Sequence, residues 1–256
     1  MNRPILEVSV EGVDGLLVAQ DNGADRVELC ASVLEGGITP SMGSVREALR
    51  RARVPVFVIV RPRGGDFLYS EAEFESMRQD VIALKQLGVP GVVSGCLTSG
   101  AEVDEQRTAE LLRLARPMSF TFHRAFDMVR DPVQALEVLI SLGVDRLLTS
   151  GQRATAIEGL ANLKQLGQLA NGRMVVMPCG GLCAENIGQV CRETGLRELH
   201  FAAHKTESSA MTYRNPHIAM GLTSTDYEYL KAVTDPTMVR ATVEAARNES
   251  VQVRNG

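Results

Sequence analysis

No run of apolar residues in this 256-residue chain is long enough to cross a bilayer or to act as a secretory leader; the opening stretch MNRPILEVSV meets Glu11, Gly12 and Asp14 within a few residues. A cytoplasmic location without a membrane partner is therefore expected. Positive charge is also in short supply: 27 Lys and Arg stand against 31 Asp and Glu, a net charge of −4, where a general nucleic-acid binder would carry a basic stripe. Cysteines number five, at positions 30, 96, 179, 183 and 191. An odd count without an export signal does not make a disulfide framework, so these thiols are expected to be reduced, most of them as small core residues and any of them open to a soft metal. No low-complexity linker interrupts the chain. Residues 1–256 read as one domain, and 45% hydrophobic content is enough to bury a sizeable core.

What the chain does have is a set of short apolar runs broken by charged or imidazole side chains: Glu7 in ILEVSV, Glu28 in RVELC, Arg61 ending VFVIVR, His123 ending SFTFH and His200 in ELHFA. Strand side chains alternate between faces, so Glu7 and Ser9 share one face while Leu6, Val8 and Val10 share the other. Arg26, Glu28 and Cys30 oppose Val27 and Leu29 in the same way. A parallel sheet covered on both sides should read as unbroken Val, Ile and Leu, so the polar face is expected to line a site.

Gly23-Ala-Asp-Arg-Val-Glu returns as Gly143-Val-Asp-Arg-Leu-Leu and, more loosely, at Gly88 and Gly195, each copy ending a helical pattern and starting a strand. With strand patterns at 5–10, 56–60, 119–123 and 174–179 this makes eight strands. Helical patterns fill the gaps at about 12–22, 41–52, 71–87, 104–115, 131–141, 154–170 and 184–194, several opened by a cap or first-turn proline such as Ser70 or Asp131-Pro132. Strict alternation leaves an open doubly wound sheet or a closed barrel. The first and last strands are as apolar on one face as the middle ones, which favours an α/β (β/α)8 barrel over about 5–203. The tail, about 204–250, reads as a polar loop, SSAMTYRNPHIAMG, and a closing helix from about 225 to 248.

In such a barrel the loops after the strands build the site. Here they carry Arg61-Pro-Arg63-Gly-Gly-Asp66, His123-Arg124-Ala-Phe-Asp127, Thr149-Ser150-Gly151 and Cys179-Gly180-Gly181. Gly180 and Gly181 ahead of a helix, with Ser150 and Gly151 beside them, resemble an anion cup; each pair taken singly is equally a plain tight turn. Arg61, Arg63 and Arg124 suit a carboxylate or phosphate, or else pair with Glu7, Glu28, Asp66 and Asp127 as a charged prop for the barrel mouth. Glu7 and Glu28 come from neighbouring strands and are read as carboxylates able to share a proton or a cation and to serve as a base. His123 and His200 are either an acid–base pair or satisfied interior histidines. Cys30, on the face of Glu28, is the thiol best placed for metal, and Cys179 and Cys183 lack the usual zinc spacing. Thiolates and imidazoles suit Cu(I) better than Mg²⁺ or Ca²⁺.

The strings NGADRVELCASVLEGGITPSMG, IVRPRGGDFLYS, TFHRAFDMVRDP, LLTSGQ and the YRN of the tail resemble the CutC family, named for copper homeostasis, from about residue 5 to beyond 240. The resemblance implies a TIM barrel, a homo-oligomer (dimer or tetramer), a cytoplasmic and in some eukaryotic members also nuclear location, and copper binding or copper tolerance, with no organic cofactor. It places the family's cysteine on Cys30 and its shared polar residues on Glu7, Arg26, Glu28, Arg61, Arg63, Asp66, His123, Arg124, Asp127, Ser150 and Gly151. Relatives tend to carry three glycines where this chain has Cys179-Gly180-Gly181. Cys179 either narrows the cup or adds a soft ligand.

Two functions are expected from different classes. One is a cytosolic Cu(I)-binding copper homeostasis protein with Cys30 as ligand. The other is an enzyme that moves protons among Glu7, Glu28, His123 and His200 on a small anionic metabolite, phosphorylated ones included, with Arg61, Arg63 and Gly180 holding the anion. A scaffold with a merely salt-bridged interior is the plainest alternative.

Overall fold

Alternation decides the first strand: β1, Ile5–Glu11, buries Leu6, Val8 and Val10 outward under helices and turns Glu7 and Ser9 to the barrel interior. The computed structural model describes residues 3–220, 224–225 and 227–252, without the side chains of 250–252. Seven more strands follow the same rule: β2 Arg26–Cys30, β3 Val56–Ile59, β4 Gly91–Ser94, β5 Ser119–Phe122, β6 Arg146–Thr149, β7 Val175–Pro178 and β8 Glu198–Ala202. All ladders are parallel and run in the order β7-β6-β5-β4-β3-β2-β1-β8. β7 and β8 lie side by side but share no ladder among the described residues, so the ring is nearly closed. The eight strands expected from the sequence are all present.

Helices α1 Gly12–Asp21, α2 Met42–Arg51, α3 Glu71–Gln86, α4 Glu105–Ala115, α5 Pro132–Leu142, α6 Leu160–Ala170 and α7 Ile187–Thr194 clothe the ring. Ser70 accepts from the Glu73 N–H, and Glu73 answers with its carboxylate on the Ser70 N–H, a capping box that starts α3. Asp131 caps α5 with Pro132 in its first turn. Helices α6 and α7 start later than the hydrophobic pattern suggested. Residues 151–159 are turns that fold over the rim, as is the stretch between Cys179 and Ile187. The large core lies between strands and helices, with Leu6, Leu29, Phe120, Phe122 and Leu147 fully buried. Inside the ring two small apolar clusters, Cys30-Phe57-Ile59-Val93 and Leu148-Met177-Cys179, flank the polar residues.

The tail differs from its sequence reading. Residues expected to form a polar loop and then a helix from about 225 contain an antiparallel hairpin, β9 His204–Ser208 with β10 Leu230–Thr234, and the helix α8 spans Pro236–Gln252. Four of the five β9 side chains are exposed, so the strand shows no apolar alternation. The missed boundary has a chemical mark: Asp235 accepts from the N–H groups of Thr237 and Met238 and caps α8 just ahead of Pro236. Residue 221 of the expected loop and residue 226 of the expected helix lie outside the described residues. α8 packs Val239, Val243 and Ala246 against the barrel beside α1 and α7. No helix among the described residues is long and apolar enough to cross a membrane.

Candidate functional site

At the C-terminal rim, Ser9 of β1, Glu28 and Cys30 of β2, His200 and Ala202 of β8, and the segments that follow β3, β5 and β7 enclose a cavity of about 300 Å³. Arg61, His123, Arg124, Cys179, Gly180 and Gly181 all reach its wall, so most of the expected site residues meet in one place. Glu7 and Arg26 sit one layer deeper.

Register explains the arrangement of the carboxylates. Arg26 stands opposite Glu7, and Ser9 opposite Glu28, so the two acids are offset along their strands. They do not meet directly, as the sequence reading had it: the imidazole of His200 lies between them, with Nδ1 2.7 Å from Glu7 Oε1 and Nε2 3.7 Å from Glu28 Oε2. Arg26 Nε donates to Glu7 Oε2 at 2.5 Å, and Ser9 Oγ donates to Glu28 Oε2 at 3.2 Å. Burial alone would raise the Glu7 pKa, but hydrogen bonds and charge from His200 and Arg26 win and hold it at about 2. Glu28 has no such cation in direct contact. Burial pushes its carboxyl up, the Glu7 charge adds to this, and the charge of His200 only partly opposes it. Burial works to lower the His200 pKa, yet the two carboxylates raise it above the ordinary value. The result is a fixed anion, an imidazole it orients, and a proton-hungry carboxylate facing the cavity, a division of labour suited to general acid–base work.

His123 does not pair with His200. It approaches from β5, where its Nδ1 accepts the Ala125 N–H at 3.2 Å, and burial together with the Arg61 charge lowers its pKa to about 3. Arg61 spends its guanidinium on backbone carbonyls: Nη1 donates to Glu35 O and Gly37 O, and Nη2 to Gly65 O. It clamps two rim loops while keeping its positive charge over the Phe67 ring, 5.0 Å from the centroid. Arg63 and Asp66 leave the cavity. Arg63 donates to Asp66 and to Glu73 at the start of α3, and Asp66 also accepts the Leu68 N–H.

The expected anion cup is half filled by the protein itself. Asp127 accepts from the N–H groups of Ser150 and Gln152 and from the Thr149 and Ser150 hydroxyls, and the Gly151 N–H goes to Thr149 Oγ1. Ser150 and Gly151 therefore shape the rim and present no amide to a ligand. The other half differs: Gly180 and Gly181, at φ +92° and +69°, line the cavity, and their N–H groups donate to no acceptor among the described residues. Arg124, anchored through Nε to Asp127 and through Nη2 to Ser150, adds positive charge beside them. A side chain at Gly180 would press on Ser150 Cβ at 3.1 Å.

Five free cysteines fit the sequence reading. Cys30 is buried, its Sγ donates to Val10 O at 3.3 Å, and burial plus the Glu28 charge push the thiol up to about 12. Cys179 is likewise raised well above the ordinary thiol value by burial, which the Arg124 charge only partly offsets. Both thiols are thus protonated at rest, and a metal must displace a proton to bind either. They reach the wall from β2 and β7, three strands apart. Among the described residues no group of three or more His, Cys, Asp and Glu side chains is placed to hold an ion. Sequence reasoning did not single out the loop glycines Gly36 and Gly37, Phe67 or His204, which also line the cavity. The EGG string and the turn chemistry of RGGDF were the available signals.

These features can be set beside known proteins. The CutC family model matches residues 4–205. A relative in Mesorhizobium japonicum named family protein CutC is 57% identical over 244 residues, 95% of this chain and 95% of its own length. The human copper homeostasis protein cutC homolog is 45% identical over 247 residues, 96% of this chain and 90% of its own. Among solved structures, one described as a candidate copper homeostasis protein CutC from Streptococcus agalactiae superposes with a TM-score of 0.74 at 33% identity, covering 77% of this chain and 98% of that one. On sequence and on fold alike, the chain belongs to the CutC family.

Proposed function

We propose that this chain serves copper homeostasis, the role for which its human and mouse relatives are named, and that its working part is the acid–base cavity at the barrel mouth. One observation carries the reading: Glu7, His200 and Glu28 stand in line from the barrel interior to a cavity whose wall also carries Arg124, Gly180 and Gly181. Copper enters as cargo. Cys30 is the soft donor best placed for Cu(I), with Cys179 a second thiol on the cavity wall three strands away. Competition of Cu(I) between the reduced protein and a chromogenic chelator tests this. Binding weakened at least about tenfold by Cys30→Ser supports the role, a loss of about 1.4 kcal/mol, and unchanged affinity removes Cys30 from it.

A second reading has its own observation. The raised pKa of Glu28 and the depressed pKa of His123 set a base and a neutral imidazole around one space, which supports proton-transfer catalysis on a small anionic metabolite. Phosphate titrated against the thermal melting of the wild type and of Arg124→Ala tests the anion half. A shift present in the first and lost in the second supports it; no shift in either sinks it. The five free thiols support a reducing, cytoplasmic setting, and sedimentation velocity would decide the proposed dimer or tetramer.

A further inference from the structure

Arg26 and Arg61 are equally buried, each 5% exposed, and the fold treats them differently. Arg26 is met by the carboxylates of Glu7 and Glu198. Arg61, two residues past the end of β3, gives three N–H groups to the carbonyls of Glu35, Gly37 and Gly65, and no carboxylate pairs with it among the described residues. An acid is at hand and is turned elsewhere: Glu35 offers Arg61 its backbone oxygen, while its carboxylate accepts from Ser32 Oγ and the Gly64 N–H. Carbonyl dipoles ease the burial of a guanidinium but leave its net charge unanswered. Nε is buried without a partner, and one hydrogen of Nη2 remains after the bond to Gly65 O. The charge is felt in the cavity wall, since after burial itself it is what lowers the His123 pKa. Arg61 lines the cavity beside Gly36 and Phe67. The other place suited to an anion, Gly180 and Gly181 with Arg124 beside them, follows β7 and β5. β3 and β7 are four strands apart whichever way the ring is followed, so Arg61 and the glycine pair stand on opposed walls.

We infer that the cavity binds a short carboxylic acid that also carries a phosphoryl group, its carboxylate set against Arg61 and its phosphoryl oxygens at Gly180, Gly181 and Arg124. The inference rests on the anionic-metabolite reading above and adds to it a second charged end and a wall for each. The division follows from charge and shape. Arg61 has one unanswered positive charge in a narrow wall beside the Phe67 ring, 5.0 Å from its guanidinium carbon, which suits a flat group of one negative charge. The glycine end offers two backbone N–H groups that have no acceptor among the described residues, and a guanidinium already half committed to Asp127. Several donors of low net charge suit the three oxygens of a phosphoryl group. A cavity of about 300 Å³ is roughly ten water volumes, enough for a three-carbon acid with its phosphoryl group. A ligand of the same length with a neutral end would fill the space and leave the Arg61 charge buried and unpaired. Discrimination between the two is therefore the signature of the site.

The test is calorimetric titration of the reduced full chain, without added metal, with 3-phosphoglycerate, glycerol 3-phosphate and inorganic phosphate. The first two share a chain length and a phosphoryl group, and differ in having a carboxylate or a hydroxymethyl group at the other end. 3-Phosphoglycerate should bind at least about 30-fold more tightly than glycerol 3-phosphate. Arg61→Met should erase that preference while glycerol 3-phosphate still binds. Equal affinity of the wild type for the two esters, or a preference that survives Arg61→Met, overturns the inference and leaves a cavity for a single anion standing. If none of the three ligands binds, the inference and the anionic-metabolite reading fall together. Should Arg61→Met fail to fold, a crystal structure of the wild type with 3-phosphoglycerate decides: a carboxylate oxygen within about 4 Å of the Arg61 guanidinium supports the inference, and a carboxylate placed elsewhere overturns it.

Discussion

The barrel interior holds two polar layers that look alike in the sequence and behave differently in the structure. In the lower layer Glu198 accepts from Arg26 and from Arg146, both at 2.8 Å, Arg146 also donates to Ser119 Oγ, and both guanidiniums lie over the Phe57 ring at 4.8 and 5.4 Å. Every charge there is answered. In the upper layer Glu28 hydrogen-bonds only the Ser9 hydroxyl and has His200 no nearer than 3.7 Å, His123 Nε2 has no partner among the described residues, and two thiols are held neutral. Buried ionic groups by themselves are no sign of function, because any fold must pair them. The informative layer is the one where the pairing is left incomplete beside an open space.

That contrast can be broken most forcefully at Arg26. Replacing it by Met leaves Glu7 with His200 alone and Glu198 with Arg146 alone, and a loss of about 2–4 kcal/mol in chemical denaturation is expected; a loss below about 1 kcal/mol would mean that the lower layer is not what holds the ring. The pH signature should come next. Glu7, whose pKa falls from 4.5 to about 2 on folding, contributes stability above pH 4.5 that drains away as the pH drops toward 2, by at most about 3 kcal/mol. Glu28 has the opposite sign: its raised pKa means that the folded state holds the proton more tightly, so stability falls as the pH climbs above the ordinary carboxylate value. Acid denaturation of Glu7→Gln should therefore be flatter than wild type, whereas Glu28→Gln should equal or exceed wild-type stability at pH 7. A Glu28→Gln variant less stable at pH 7 would assign this acid to the structural layer.

Two glycines give a matched pair of smaller effect. Gly91→Ala drives a methyl to 2.6 Å from the Phe57 ring and should cost about 1–3 kcal/mol in melting experiments. Gly95→Ala does the same to His123 and should weaken ligand binding at least as clearly as it lowers stability. Least of all is expected of Arg63→Ala, which removes partly exposed ion pairs outside the cavity: under about 1 kcal/mol, with no change in Cu(I) or phosphate binding.

The ring itself was legible because β-strand alternation is enforced by the pleat. Wherever Val, Leu or Phe alternates with Glu, Arg or His between two glycine-terminated helices, one face has to meet the helices, and Glu7, Glu28 and His200 fall inside without further information. The hairpin was not legible, since His204 to Ser208 face water on nearly every position and leave no period to detect. The site was half legible. Strand residues landed where parity put them, but a loop residue's direction depends on which partner claims it. Asp127 faces inward and yet consumes the amides that Ser150 and Gln152 would have offered, and Arg63, two residues from the inward Arg61, is claimed by Asp66 and Glu73. Nor can a sequence reveal that an imidazole would come between two carboxylates. That follows from the stagger of β8 against β1, which sets His200 beside Glu7.

Arg61 has a mechanical consequence. By gripping the carbonyls of Glu35, Gly37 and Gly65 with one charged fork, it welds the segments after β2 and β3 into a single rigid jamb. A ligand entering the cavity passes along a wall held by three charge-assisted bonds rather than by loose loop.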